Sequence, residues 1–324
     1  MKTKTNHREI LREALAQTRD TVDLDGFGPK IKGKVRDCYV VGDKRILISS
    51  DRFSAFDVIL TTIPYKGKLL NDMAAFWFEK TKHIVKNHLV SRPHPSVFVG
   101  EEVKIIPIEV VVRQYLAGSS YRDYAAGKDV SGVKLPPGLK KSAKLEELII
   151  TPSTKAEQGD HDAPISESSI LENKIVSQDV WDNVRETALK LFSFAAEEVA
   201  KRGLILVDTK YEFGLKTNKN GSQELVLADE VHTQDCSRYW IRESYQERFA
   251  RGEDPEMLDK EFVRRQLIAK GYMGEGTPPE FSDDFRIEIA EKYIEAYEMI
   301  TGLNFDFSIG PIDEKVLQEI KKVL

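Results

Sequence analysis

The sequence predicts an α+β protein of two lobes: a β-rich one over residues 1–112 and a mixed one over 113–324 that ends in helices. Three observations carry that prediction. Apolar residues alternate at the two-residue period of strands over 33–50, 103–112 and 204–231. The last third carries helical spacing instead, punctuated by Gly252, Pro255, Gly310 and Pro311. The chain of 324 residues also exceeds the roughly 250–300 at which a single core stops growing. Strands first and helices last is an α+β plan.

An amphipathic helix over 9–18 opens the chain and leads into a loop at 25–30. Strands follow at 33–41 and 45–50, joined by Gly42-Asp43, a hairpin signal. Residues 69–85 read as a helix, and its Phe76, Trp77 and Phe78 read as core. Val and Ile alternate over 103–112, which is a strand. A Gly-, Pro- and Lys-rich stretch at 127–144 reads as a surface excursion, and 151–167 is polar without a usable period. A long helix at 178–202 ends at Gly203, and strands at 204–216 and 224–231 flank Asn220-Gly221. Helices at 236–251, 256–270, 284–301 and 312–324 complete the chain.

Composition excludes several classes. A formal net charge of -5 argues against a general nucleic-acid surface. Cys38 and Cys236 form no zinc pattern and no disulfide framework, which fits a reducing compartment. No run approaches the roughly 18 apolar residues of a membrane span, and the first residues lack a signal-peptide core, so a cytoplasmic location is expected.

The hairpin at 203–235 carries the most chemistry. With its turn centred on Asn220-Gly221, Lys219 faces Ser222 and Glu212 faces Asp229. Two carboxylates directly opposite destabilise a sheet unless a cation sits between them. Asp208 and Lys210 share the Glu212 side of the strand. An ammonium beside paired carboxylates suits nucleotide phosphates and Mg2+. A solvated face of mixed charge is the alternative.

Four other stretches are candidates. Gly33-Lys34-Val35-Arg36-Asp37 sets two cations after a glycine, either against phosphates or as an ordinary edge strand. Residues 50–57 pack Asp51, Arg52, Asp57 and two serines into one turn, functional or simply capped. At 109–120, a buried strand runs into Ala117-Gly118-Ser119, whose backbone N–H groups with Arg113 make a phosphate cradle or a plain helix cap. At 151–162, Lys155 and Asp162 flank Gly159; His161 has no second histidine at ligand spacing, so a loop histidine is the expectation.

Taken in order, GKVRDCYVV, SSDRFSAFDV, VVVRQYLAGSSYRDY, TPSTKAEQGDHD, VDTKYEFG and ADEVHTQDCSRYW closely resemble the SAICAR synthetase family, in its longer branch. The resemblance implies a kinase-like or ATP-grasp-like nucleotide clamp. It also implies ATP-dependent joining of L-aspartate to the carboxylate of carboxyaminoimidazole ribonucleotide (CAIR), giving SAICAR, ADP and phosphate in purine biosynthesis. By resemblance, Lys34, Arg36, Glu109 and Lys155 serve ATP, which the β-rich lobe covers. Glu212 and Asp229 hold Mg2+, while Arg113, Ser119 and Arg238 hold the CAIR phosphate. Asp162 and Lys210 meet the imidazole, and Asp51 and Arg52 line the aspartate entrance. The interval from Asp229 to Arg238 is one residue longer than in the compact branch, so the Arg238 role assumes a looped-out residue.

The implied mechanism needs no enzyme nucleophile. ATP converts the carboxylate to an acyl phosphate, and the aspartate amine displaces phosphate. Lys34, Lys210, Glu212 and Asp229 are the expected catalytic group, acting through position and charge. The partners are therefore small molecules, without nucleic acid or membrane, and a monomer is expected. A small-molecule kinase and a nucleotide sensor are the competing classes.

Overall fold

Strand pairing and helix caps build two compact units in a computed structural model that describes residues 4–56, 58–155, 162–258 and 260–324. The first unit combines Met1–Phe76, His88–Glu102 and Leu258–Leu324; the second combines Trp77–Asn87 and Val103–Met257. This differs from the single cut at 112. A cut there would divide one continuous strand, Lys104–Tyr115, and would detach the C-terminal helices from the sheet they cover.

In the first unit, β1 (Ile31–Lys32), β2 (Arg36–Val41), β3 (Lys44–Ser49), β7 (Leu89–His94) and β8 (Val97–Glu101) form an antiparallel sheet in the order β1-β2-β3-β8-β7. Val41 pairs with Lys44, so Gly42-Asp43 is the two-residue hairpin loop that the sequence predicts. Tyr39, Ile46, Ile48, Val97 and Val99 project from one face into a core with Leu24, Phe27 and Ile320. Ile320 belongs to α9 (Glu314–Lys321), whose first turn is capped by the Asp313 carboxylate accepting Val316 N–H at 3.1 Å. A small hairpin, β4 (Arg52–Ala55) with β5 (Val58–Thr62), precedes α2 (Lys66–Thr81). The helices α1 (Lys4–Ala14), α7 (Glu261–Ala269) and α8 (Asp283–Thr301) also belong here, and Arg8 reaches Glu291 of α8 at 2.9 Å.

The second unit is built on two long strands, β9 (Lys104–Tyr115) and β12 (Leu204–Thr217). Its sheet runs β10-β9-β12-β13-β6, using β10 (Lys144–Ile150), β13 (Gln223–Ala228) and β6 (Lys86–Asn87). Two further strands pair off this path, β11 (Ser153–Thr154) on β9 and β14 (Ser237–Ile241) on β12. The helices α3 (Gly118–Ala125), α4 (Glu167–Glu172), α5 (Gln178–Ala200) and α6 (Arg242–Ala250) complete it. Ser177 caps α5, and Trp181, Val184, Ala188, Leu191, Phe192, Ala195 and Val199 form its buried stripe at helical spacing. That stripe covers β12 and β9. Each large member contributes on the order of 1.5–3 kcal/mol on burial.

Two local expectations change. The segment expected to be helix over 236–251 is β14 followed by α6, because Tyr239 and Trp240 pair with Leu206 and Ile205 in the ladder. Burial of those aromatic side chains on a pleated surface outweighs the helical spacing. The hairpin loop is three residues long, not two. Asn218 N–H donates to Ser222 O at 2.8 Å, and Gly221 takes φ +82°, the left-handed residue of a three-residue hairpin.

Candidate active site

The longer loop moves the ladder by one position. Glu212 pairs with Ala228 on β13, which corrects the expected Glu212–Asp229 pairing. The carboxylate directly opposite Glu212 is Glu109, on the other neighbouring strand. Lys210 answers the resulting repulsion: its Nζ donates to Glu109 Oε1 at 3.0 Å and to Glu212 Oε1 at 2.5 Å. Lys155 Nζ donates to the second oxygen of Glu212, and Ser153 Oγ lies 3.4 Å from Glu109 Oε2.

Asp229 follows β13 in left-handed backbone, φ +61°, and its charge still acts on Lys210. Burial opposes the Lys210 charge, but Glu212, Glu109 and Asp229 together raise its pKa well above the usual lysine value. Glu109 moves up, chiefly through burial, with Glu212 and Asp162 adding to the push and Lys210 opposing it. The sheet thus sets the charges of Glu109, Glu212 and Asp229 around one ammonium. Asp162 is exposed; Gly159 and His161 lie outside the described residues.

Two positions back on the same face of β12, Asp208 gathers a second centre. Its Oδ2 accepts Arg113 Nη1 at 2.9 Å and Arg238 Nη1 at 2.7 Å, and its Oδ1 accepts Arg238 Nη1 at 2.9 Å. Arg113 Nε donates to Thr151 Oγ1 at 2.7 Å, and its Nη2 lies 3.4 Å from Ser119 Oγ. Ser119 stands in the first turn of α3, where backbone N–H groups and the helix dipole favour an anion. Burial lowers the Arg113 pKa, with Arg238 adding to the fall and Asp208 opposing it. Sequence reading placed Asp208 on this face by its even spacing with Lys210 and Glu212 but gave it no role, and Thr151, the first residue of the TPSTKAEQGDHD stretch, also had none.

The turn that joins β13 to β14 is packed on buried rings. His232, at φ +51°, is fully buried, and burial pushes its pKa down to about 3, so the ring is neutral. Its Nε2 lies 3.4 Å from the Tyr211 hydroxyl, its carbonyl accepts Tyr239 O–H at 2.6 Å, and its ring meets Trp77 edge-on.

The remaining candidates lie in the first unit. Lys34 is exposed and Arg36 is buried at the start of β2. Arg52 and Asp51 depart from their expected role at a substrate entrance. Arg52 is fully buried, with Nη2 on Asp37 Oδ1 at 2.7 Å and on Gly33 O at 3.1 Å, and Nε on Lys34 O at 3.0 Å. Asp51 accepts Arg19 N–H at 2.8 Å and Gly67 N–H at 3.0 Å, tying off the start of α2. Burial raises its pKa against those two bonds. A charged side chain inside the fold must spend its hydrogen bonds there, so Arg52 shapes the Gly33–Asp37 segment and Asp51 joins Arg19 to the start of α2. Asp57 lies outside the described residues.

Residues 30–279 match the family model described as SAICAR synthetase. A phosphoribosylaminoimidazole-succinocarboxamide synthase of Legionella pneumophila is 44% identical over 307 residues, 92% of this chain and 96% of the relative. The structure is similar to that of a Saccharomyces cerevisiae SAICAR synthase complexed with SAICAR, with TM-score 0.78, 34% identity, and coverage of 89% of this chain and 100% of that one. It is also similar to a SAICAR synthetase in complex with ADP, with TM-score 0.64, 27% identity, and coverage of 86% and 100%.

Proposed function

The chain belongs to the SAICAR synthetase family, and on that premise we propose how its own residues carry out the family's ligation. The reaction joins L-aspartate to the carboxylate of CAIR at the expense of ATP, giving SAICAR, ADP and phosphate in purine biosynthesis. The observation that carries the assignment of parts is the adjacency of two unlike centres on one face of β9 and β12. A two-arginine centre at Asp208 stands one side-chain repeat from a lysine–carboxylate centre at Lys210 and Glu212. Side chains two positions apart on a strand are about 6.5–7 Å apart. That is a suitable span for a substrate holding a phosphate at one end and reacting at the other.

In this reading Arg113, Ser119 and Arg238 receive the CAIR phosphate, and Lys210 and Asp162 orient the imidazole end. Glu109 meets the adenine of ATP, while Lys34, Arg36 and Lys155 serve its phosphates. The γ-phosphoryl group passes to a CAIR carboxylate oxygen and ADP departs. The aspartate amine then attacks the acyl carbon, the C–N bond forms, the C–O bond to phosphate breaks, and the amine loses its proton. Lys210, held charged by its carboxylates, stabilises negative charge developing on the carboxylate and transferring phosphoryl oxygens.

The donor chemistry fits Mg2+. Glu212 and Asp229 offer hard carboxylate oxygens around a centre where the neighbouring Glu109 is already pushed up. Among the described residues no three His, Cys, Asp or Glu side chains converge as a cage, and Mg2+ is typically held by one or two carboxylates with phosphate oxygens and water. Bound there, it would neutralise the triphosphate. Among the described residues no helix is long and apolar enough to cross a membrane; a cytoplasmic monomer completes the proposal.

The test is ADP release with ATP, Mg2+, CAIR and L-aspartate, omitting one component at a time. ADP that requires both CAIR and aspartate, with SAICAR in equal amount, is the expected result. Full turnover without aspartate would point to phosphoryl transfer alone and overturn the ligase reading.

A further inference from the structure

We propose that Asp208 is a positioning residue that assembles the two-arginine fork before substrate arrives, and that Gly118 is the site's steric gate for that fork. The proposal rests on the assignment of Arg113 and Arg238 to the substrate phosphate. Three observations carry it.

First, Asp208 takes the same atom, Nη1, from both guanidinium groups, at 2.9 Å from Arg113 and 2.7 Å from Arg238. Both planes are thereby anchored from one side. The Nη2 atom of Arg113 is left facing Ser119 Oγ at 3.4 Å, and that of Arg238 faces Gly118. Two guanidinium groups brought this close repel, as the Arg238 charge does Arg113. A shared carboxylate with 3% exposure offsets that repulsion inside the protein. The pair keeps a net positive charge for the incoming phosphate.

Second, the register is bent to make this contact. Leu206 pairs with Tyr239, but Asp208 pairs with Arg238, so Val207 is an extra residue on β12. A bulge of this kind re-aims a side chain. Here it sets the carboxylate directly opposite Arg238. The lock is repeated one step on, where Thr209 Oγ1 and Ser237 Oγ lie 2.7 Å apart.

Third, Gly118 leaves room for the fork. A Cβ at that position would lie 2.5 Å from Arg238 Nη2, 2.7 Å from its Cζ and 2.9 Å from its Nη1. The backbone there also has φ +60°, which L side chains resist. Any side chain at 118 would push the Arg238 guanidinium off the start of α3. Thr151 completes the frame by accepting Arg113 Nε at 2.7 Å.

A merely structural Asp208 would affect all three substrates alike. A positioning residue affects one, because fork assembly then has to be driven by the phosphate that binds it. The experiment is steady-state kinetics of Asp208→Asn, Gly118→Ala and Thr151→Val, varying CAIR, ATP and L-aspartate in turn. Ribose 5-phosphate, which has the phosphate without the imidazole, serves as a competitor of CAIR. Asp208→Asn should raise the CAIR KM by about tenfold to a hundredfold, with kcat at saturating CAIR within about threefold of wild type, the pattern of lost uniform binding. The KM values for ATP and aspartate should stay put, and ribose 5-phosphate inhibition should weaken in step. Thr151→Val, which removes one acceptor at constant shape, should raise the CAIR KM by roughly threefold to tenfold.

If Asp208→Asn does not fold, Gly118→Ala and Thr151→Val decide the matter, and wild-type CAIR KM in both overturns the proposal. An ATP KM that rises as much as the CAIR KM also overturns it. Arg113→Ala separates the two layers. Unchanged CAIR KM in Arg113→Ala refutes the phosphate assignment itself. A raised value there beside an unchanged Asp208→Asn refutes only the positioning role.

Discussion

Replacing Glu212 by Gln should separate activity from stability. Around Lys210 the three carboxylates that act on it, Glu109, Glu212 and Asp229, outnumber the two ammonium groups of Lys210 and Lys155. The substitution keeps the side-chain shape and leaves two negative charges against two positive ones. Lys210 retains Glu109 at 3.0 Å, so no buried ammonium is orphaned. Folding stability should therefore change by no more than about 1 kcal/mol, or about 2–4 °C in Tm for a protein of this size class. Catalysis loses a carboxylate that would hold Mg2+ at the reacting phosphates, and an electrostatic loss of that kind is typically worth about 10²–10³ in kcat, or roughly 2.7–4 kcal/mol. Glu109 should also titrate lower, because Glu212 no longer pushes it up. The assay is ADP release at saturating CAIR, aspartate and Mg2+, beside thermal melts without ligands. A kcat within about threefold of the parent would refute the catalytic role. A Tm lower by more than about 8 °C would refute the charge argument.

Other substitutions test the scaffold. Arg52→Met leaves Asp37 buried without its guanidinium partner, so stability should fall by about 3–5 kcal/mol, read by urea unfolding; an unchanged midpoint would contradict the buried-pair reading. Gly67→Ala places a Cβ 2.3 Å from the Ser49 carbonyl oxygen, which should cost about 1–3 kcal/mol, and a Tm equal to the parent's would show that the backbone yields there. His232 is held neutral in the fold down to about pH 3, whereas the unfolded chain takes up its proton near pH 6.5. The unfolded state then binds more protons below pH 6.5, so stability falls as pH drops towards 3, by up to about 4–5 kcal/mol. His232→Gln should flatten that limb of the stability–pH curve; an identical slope in parent and variant would reject the assignment. Asp37 titrates below its ordinary range: burial works against its charge, but hydrogen bonds from Arg52 and Thr21 prevail. Its stabilisation is complete above pH about 4 and is lost as pH falls through the folded value, so Asp37→Asn should flatten the stability–pH curve below pH about 4, read by urea unfolding; an unchanged slope there would reject the assignment.

Much of this was legible in the chain because strands expose their side chains by parity. Asp208, Lys210 and Glu212 had to share a face wherever their strand lay. What parity does not reveal is the neighbour. Glu109 and Glu212 lie about a hundred positions apart, and only the antiparallel pairing of β9 with β12 sets them opposite each other. The Asp229 pairing failed for a local reason, since Gly221 closes a three-residue loop and one extra residue changes every partner along the ladder. Arg52 was misplaced because its motif signals importance without direction. Burial decides direction, and its ion pair with Asp37 turns it inward. The strand at Ser237–Ile241 was read into the helix that follows it, because the ladder to β12 is a long-range fact.

The path of the chain sets an order of manufacture. The second unit is almost one stretch, Val103–Met257 with the short Trp77–Asn87 segment before it. The first unit is gathered from three stretches, and its core includes Ile320, with 0% exposure. On the ribosome, at about 5–20 residues per second, the sheet begun at Ile31 must wait for α9 before its apolar face is covered. The unit that contains β9 and β12 can meanwhile close on its own sheet. The half of the protein that starts first is thus the half that finishes last, and an apolar sheet face left uncovered for that interval is where a nascent chain is most prone to aggregate.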